Sequence, residues 1–553
     1  MYKRIAWGLL ALLMVGIAAF YAVGGRTGLA LLSVKYIMHQ SYAPTREVHW
    51  QTGPATGPSV PRRAPNVVLI VADDLGINDI THFGGGIAGG KVPTPHIDSI
   101  AKEGIDFRNG YAGNATCAPS RAAMMTGRYP TRFGFEFTPT PKQFMKVVTS
   151  LAPAEQLFKP IYHPEREAQL IPYDDMGLPT SEITLAKLLQ GANYHTVHLG
   201  KWHLGDSPQF RSYNHGFNES LSHLHGASMF LPIKDPKVVN AMQAFDPIDQ
   251  FLWAAEPWGV RFMDGEPFQP PKYMTDYLTD EAVKVVEANK NHPFFMYLAY
   301  NAPHTPLQAT REDYDALDFI PDHAMRVYAA MIRSLDRNIG RVLQSLKDQG
   351  LDDNTLVIFT SDNGGAHYIG LEGLNSPYRG WKATFFEGGI HVPFFMRWPG
   401  QIPAGTHFTA PVSHFDIFAT AAAVGGLKPP ADRPIDGVNL LPFIQGKAPG
   451  RPHDVLFWRT DQYLTVRAGD WKLQVSESPK KEWLFNLALD PTEKRNLADR
   501  EPERLAVMKA QLAEWNSTQR KPLWPSLGAG AIAIDHSLKQ PTKAGDEYIY
   551  YSN

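Results

Sequence analysis

The chain has 553 residues, a formal net charge of -2, and charged and hydrophobic shares of 20% and 44%. That balance excludes a disordered chain and gives no basis for a nucleic-acid or polyanionic partner, although a local basic pocket stays open. The length exceeds what one hydrophobic core usually holds, so a large domain with a smaller one is expected.

Lys3 and Arg4 precede Ile5–Val23, a run without a charged residue. This reads as a signal peptide over 1–25 or, if uncleaved, as a signal anchor with its basic end cytoplasmic. In both cases the remainder is exported, to a periplasmic or extracellular space, with anchoring in an inner membrane through 5–23 in the second case. Residues 26–65, rich in Pro, Gly and Thr from Pro44 to Pro65, read as a linker. The run Asn66–Ala72 has the pattern of a central strand buried on both faces. Helix-like and strand-like segments then alternate. Ser181–Gln190 leads to Tyr194–Leu199, Met274–Asn289 to Pro293–Tyr300, and Asp322–Gln349 to Asn354–Thr360. The alternation predicts an α/β fold over 66–430, a large, mostly parallel or mixed sheet between helices. Ligands of such sheets bind beyond the carboxyl ends of the strands. Phe137–Thr180 and Lys234–Lys272 lack periodicity and read as insertions that rim a site. The pattern changes near Pro429–Pro442. Residues 431–553 read as a C-terminal subdomain, with short strands at Asp454–Arg459, Tyr463–Arg467, Trp471–Val475 and Glu482–Asn486 and a helix at Glu501–Glu514. It is expected to be a small antiparallel sheet with one helix.

Chemistry concentrates at the strand ends. Asp73 and Asp74 follow the first strand, and Asp362 and Asn363 follow another. Either pair alone is ordinary turn or cap material. Two pairs of hard oxygen donors, each directly after a buried strand, favour a cation such as Ca²⁺ over Mg²⁺ or zinc. Cys117 is the one cysteine, so no disulfide can form within the chain. Pro119 suits the first residue of a helix that Ser120–Thr126 can continue, placing Cys117 at an N-terminus that favours an anion, with Arg121 on the first turn. Lys201 and His203 in Gly200-Lys201-Trp202-His203, and His304 after Pro303, stand just beyond strands beside tight Gly or Pro turns. Lys382 lies in Gly380-Trp381-Lys382.

These motifs, with Asp73-Asp74, Cys117-Ala118-Pro119-Ser120-Arg121 and Asp362-Asn363-Gly364, stand in the order found in arylsulfatase-type sulfatases of the alkaline phosphatase superfamily. The chain resembles that family from Asn66 to Trp515. The resemblance implies an alkaline phosphatase-like fold and hydrolysis of aryl or carbohydrate sulfate monoesters. It implies that a maturation enzyme oxidises Cys117 to formylglycine (3-oxoalanine), and that Asp73, Asp74, Cys117, Asp362 and Asn363 hold Ca²⁺. Arg121 would position the nucleophile and Asp362 assist its deprotonation. Lys201, His304 and Lys382 would neutralise the sulfate oxygens, with His304 or Lys382 protonating the leaving alcohol. His203 would remove the proton of the second hydroxyl. Ser222, His223, His225 and Ser228 are alternatives for a further sulfate ligand. Where relatives carry Gly before a Tyr, Asn193 precedes Tyr194, and Asn tolerates the left-handed backbone that such a turn needs. The nearest rival is a phosphonate monoester or phosphodiester hydrolase with the same nucleophile and metal. A silent sulfated-glycan binder and a Cys-His thiol hydrolase are more distant rivals.

Overall fold

The computed structural model describes residues 25–37, 40–55, 63–151, 155–223 and 225–553; the apolar run 5–23 lies outside them. Among the described residues no helix is long and apolar enough to cross a membrane.

A nine-stranded mixed sheet organises the large domain. In chain order its strands are β1 (Asn66–Ala72), β2 (Ile105–Phe107), β3 (His195–Gly200), β4 (Glu219–His223), β5 (Val260–Phe262), β6 (Phe294–Ala299), β7 (Thr355–Ser361), β8 (Phe394–Arg397) and β9 (Thr406–Phe408). Their spatial order is β9-β2-β8-β7-β1-β6-β3-β4-β5. The central strands β7, β1, β6, β3 and β4 are mutually parallel, while β8 and β5 pair antiparallel with β7 and β4. All seven residues of β1 are buried. Val68, Ile70 and Ala72 enter one core and Val67, Leu69 and Val71 the other, as the two-residue period of a strand requires. A strand covered on both faces therefore reads as an unbroken apolar run.

Helix α1 (Gly25–Ile37) opens the described chain, and α2 (Cys117–Thr126) lies in the second core, to which it gives Ala118, Ala122, Met124 and Met125. Helices α3 (Lys142–Ser150) and α4 (Pro247–Ala255) come from the two aperiodic stretches. Helices α5 (Met274–Ala288) and α6 (His323–Asp348) cover the first core, and α7 (Phe415–Val424) packs beside α2. Asp322 caps α6 by accepting from the Met325 N–H at 2.8 Å, so the helix starts one residue after the expected point.

The C-terminal part contains the expected four-stranded antiparallel sheet: β10 (Val455–Thr460), β11 (Tyr463–Ala468), β12 (Trp471–Glu477) and β13 (Lys480–Asn486), followed by α8 (Pro502–Ser517). Two features differ from the sequence reading. The stretch read as linker is partly built into the domain. Val34 of α1 packs against Phe251, Leu252 and Ala255 of α4. Trp50 Nε1 donates to Glu281 at 2.7 Å, the Ala43 N–H donates to the Pro267 carbonyl at 2.9 Å, and Val48 is buried. Proline and glycine content does not reveal that these apolar residues find pockets. The second difference is a hairpin, β14 (Gly528–Ala533) and β15 (Tyr548–Ser552), which leaves the small sheet and pairs with Ile161–Tyr162 of the large domain.

Arg459 ties the two parts together. It donates from Nε and Nη2 to the Glu136 carboxylate, with an Nη2–Oε2 distance of 2.7 Å, and from Nη1 to Asn516 Oδ1 at 2.8 Å. Both charged side chains are buried. Removing one member of such a pair strands the other charge, a loss of about 3–5 kcal/mol. Arg459→Met is therefore expected to lower the thermal midpoint well below that of surface Arg→Met controls. A melting curve indistinguishable from wild type would contradict that role.

Candidate active site

The site is built at the carboxyl ends of β1, β3, β6 and β7. Asp73 and Asp74 are consecutive, and in an extended strand they would point to opposite faces. Asp74 instead takes φ 63°, a left-handed turn that lets both carboxylates serve one site. Cys117 is the first residue of α2, two residues earlier than Pro119 suggests, and its Sγ lies 3.5 Å from Asp73 Oδ1 and 3.7 Å from Asp74 Oδ1. Lys382 Nζ is 3.2 Å from the same sulfur and 2.8 Å from Asp74 Oδ1.

Three buried cations neutralise three buried carboxylates. Lys201 Nζ donates to Asp73 Oδ2 at 2.6 Å, Lys382 serves Asp74, and Arg121 donates to Asp362 Oδ2 from Nε at 2.9 Å. Arg121 also donates from Nη1 to the Lys201 carbonyl and the Tyr297 hydroxyl, each at 3.2 Å. Asp362 Oδ1 accepts from the Asp74 N–H at 3.2 Å. The Asn363 amide donates to Asp74 Oδ1 at 2.8 Å. Gly364 follows because a Cβ there would stand 1.9 Å from the Gly388 carbonyl oxygen.

Burial pushes the Asp73 carboxyl up, with Lys201 opposing. Burial also acts on Asp74, but Lys382 and His304 outweigh it and hold that carboxyl well below the usual range. Burial and the neighbouring Asp362 raise the Cys117 thiol well above its ordinary value. Burial drives His304 down to about 3. Its Nδ1 is bonded to the Thr305 carbonyl at 2.5 Å, and its Nε2 faces Asp74 Oδ2 at 3.7 Å and Lys382 Nζ at 3.5 Å.

All the expected residues except His203 are joined by these contacts. His203, at φ 59°, lines the same cavity as Cys117, His304 and Lys382, and its buried Nδ1 has no hydrogen-bond partner. Its ring lies against Gly226, where a Cβ would come within 2.3 Å of Nε2. Among Ser222, His223, His225 and Ser228, only His225 lines that cavity among the described residues, with Nδ1 2.7 Å from Asp206. Ser228 is occupied with the Met229 and Pro257 carbonyls. Asn193 sits at φ 64°, in the left-handed region anticipated for it.

Two residues of the site were missed. The Tyr368 hydroxyl donates to Asp74 Oδ2 at 2.8 Å and accepts from Lys382 at 3.0 Å. Tyr297 supports Arg121 from within β6. A tyrosine inside an otherwise apolar buried strand was the available signal, because its hydroxyl must find a polar partner.

One ligand atom each from Asp73, Asp74, Cys117 and His304 falls within a 4.8 Å cluster that could hold a metal ion. Asn363 Oδ1 is buried without a hydrogen-bond donor. An orphaned amide oxygen beside paired carboxylates is a donor set that fits a hard cation. The cluster brings in His304, which was expected to act on substrate, while Asp362 is engaged with Arg121.

Residues 65–427 match the sulfatase family model, and residues 379–520 match the C-terminal model of N-sulphoglucosamine sulphohydrolase. The chain is 33% identical over 420 residues to N-acetylgalactosamine-6-sulfatase of Homo sapiens, covering 75% of this chain and 72% of that one. It is 32% identical over 487 residues to Homo sapiens steryl-sulfatase, covering 77% of each. Among solved structures it resembles Ps i-CgsB in complex with k-i-k-neocarrahexaose, at 33% identity and a TM-score of 0.68, covering 84% of this chain and 95% of that one. With the matched model spanning most of the chain and the strand-end constellation in place, this chain belongs to the sulfatase family and is a sulfuric ester hydrolase.

Proposed function

We propose that the protein cleaves sulfate monoesters with a formylglycine made from Cys117 by a maturation enzyme, beside a bound Ca²⁺. The observation that carries this reading is the position of Cys117 Sγ, at a helix N-terminus within 3.2–3.7 Å of Lys382, Asp73 and Asp74. Asp73, Asp74, Asp362 and Asn363, with residue 117, would hold the cation, which when bound polarises oxygen and offsets developing negative charge. A hydrated aldehyde at position 117 supplies an oxygen nucleophile for sulfur and a second hydroxyl through which sulfate can be expelled.

The remaining roles belong to side chains already fixed in place. Arg121, held by Asp362 and Tyr297, lies 3.7 Å from Asp73 Oδ1, the carboxylate oxygen facing residue 117, and there positions the nucleophile. Lys201 and Lys382 present ammonium groups for the sulfate oxygens, where pre-positioned charge lowers the barrier without reorganisation. With Nδ1 committed to the Thr305 carbonyl, His304 exchanges protons through Nε2, and the His304–Lys382 pair protonates the leaving oxygen. The unpartnered Nδ1 of His203 suits the removal of a proton from the second hydroxyl.

In active protein the tryptic peptide containing Cys117 is expected to be about 18 Da lighter than the thiol form, as conversion of a thiol to an aldehyde requires. An unmodified mass in active enzyme would rule the mechanism out. Aryl sulfate is expected to be cleaved with a higher kcat/KM than the matching aryl phosphonate monoester, and Lys382→Ala to lower kcat on the sulfate by about 10²–10³-fold. Faster phosphonate cleavage would instead favour the rival hydrolase.

Ca²⁺ is expected to raise the melting midpoint of chelator-treated protein more than Mg²⁺ does. Asn363→Ala should shrink that shift, and equal shifts for both proteins would remove Asn363 from the ligand set.

We also propose export, on the basis of Lys3, Arg4 and the uncharged run Ile5–Val23. Fractionation of a bacterial host is expected to place the protein outside the cytoplasm, and a purely cytoplasmic location would overturn this.

A further inference from the structure

A cavity of about 690 Å³ opens directly onto Cys117, His304 and Lys382. Its walls are chemically one-sided. Helix α3 contributes Phe144, Met145 and Val148, helix α4 contributes Phe251 and Leu252, and strand β14 contributes Ile532. Lys382 is the one lysine or arginine among the described residues that line it, and it is already paired with Asp74 at the reacting centre. The acidic side chains in the lining are Asp174, which is exposed, and Asp246, which caps α4. The other basic side chains in the lining are histidines, of which His225 and His536 already face Asp206 and Asp546, so a ligand carrying further sulfates or carboxylates would meet no unpaired lysine or arginine here. An apolar ligand would bury its surface against aliphatic and aromatic walls, the usual composition of a small-molecule pocket of this size.

The origin of the walls matters as well. Strand β14 and Tyr551 of β15 belong to the stretch after residue 520, outside both matched family models. Tyr551 places its hydroxyl 2.7 Å from Asn114 Oδ1, three residues before the nucleophile position, so the hairpin is tied to the reacting end of the cavity.

Resting on the sulfate-ester reading of the site, we propose that this cavity receives the alcohol part of the substrate. That alcohol is a bulky, uncharged, apolar group, such as a polycyclic or alkyl-substituted phenol or alcohol, and not a polyanionic saccharide. Overall, the bond from sulfur to the alcohol oxygen breaks and a bond from sulfur to a water-derived oxygen forms; the alcohol leaves with one proton of that water, and sulfate is released with the other.

The test compares three esters on enzyme whose residue-117 peptide has been checked for the aldehyde: phenyl sulfate, an alkyl-substituted naphthyl sulfate, and a multiply sulfated disaccharide. The naphthyl ester is expected to show the highest kcat/KM, about tenfold or more above phenyl sulfate, since each buried methylene adds discrimination in an apolar pocket. Leu252→Ala and Ile532→Ala are expected to lower kcat/KM for the naphthyl ester about tenfold while leaving phenyl sulfate near wild type. Val148→Gln, at a half-buried position, supplies a milder variant should either fail to fold. Preference for the disaccharide, or equal losses on both aryl esters, would overturn the inference and leave the sulfatase reading standing. Failure of modified enzyme on all three esters would remove the sulfatase reading and this inference with it.

Discussion

Three carboxylates and three side-chain cations are removed from water at the ends of neighbouring strands, and the rest of the structure has to sustain that burial. Asp73, Asp74, Asp362, Arg121 and Lys201 are all at most 4% exposed. An ion transferred to such an interior costs several kcal/mol even after relaxation, so the group survives only because each charge meets its opposite at hydrogen-bond distance. Those distances are set by the sheet. Registers between β1, β6 and β7 fix the carboxylates, β3 delivers Lys201, and α2 delivers Arg121. The central strands, buried on both faces, fix where the carboxylates and Lys201 emerge, while Lys382 comes from the turn after Gly380.

Charge balance also explains what the site can accept. Counted as fully ionised, the side-chain charges cancel, three against three, and with burial favouring a proton on Asp73 a divalent cation would leave an excess of positive charge. A sulfate monoester brings one negative charge to that excess.

How far the sequence could be read depended on the range of each interaction. Asp73-Asp74, Asp362-Asn363, Lys201 and His304 were legible because each follows a buried strand at once, so local pattern places it. The left-handed turn at Asn193 was legible for the same local reason. Tyr368 was not, since its partner Asp74 is distant in sequence, and Tyr297 offered only a hydroxyl in an apolar strand, with nothing local to name Arg121 as its partner. The hairpin β14–β15 was missed because its pairing partner, Ile161–Tyr162, lies in a stretch without periodicity. Val34, Val48 and Trp50 show the same effect near the start of the chain: composition marked the stretch as linker, while the apolar residues within it dock on α4 and β5.

The lone cysteine is best understood through the same electrostatics. A thiol works as a nucleophile or metal ligand when it ionises, and cysteines that do so sit in electropositive, partly exposed surroundings. Cys117 has the opposite setting: it is buried, and although Lys201 and Lys382 favour its thiolate, burial and Asp362 prevail. A thiolate there would add a fourth anion to a cluster balanced at three. The proposed aldehyde hydrate is uncharged at rest, so it can occupy the helix N-terminus without upsetting that balance. It needs to develop charge only as it attacks, where Lys382 stands 3.2 Å from the residue-117 side chain to receive it, as would a cation held by the neighbouring carboxylates. The features that make Cys117 a poor thiol therefore suit it as the precursor of an oxygen nucleophile.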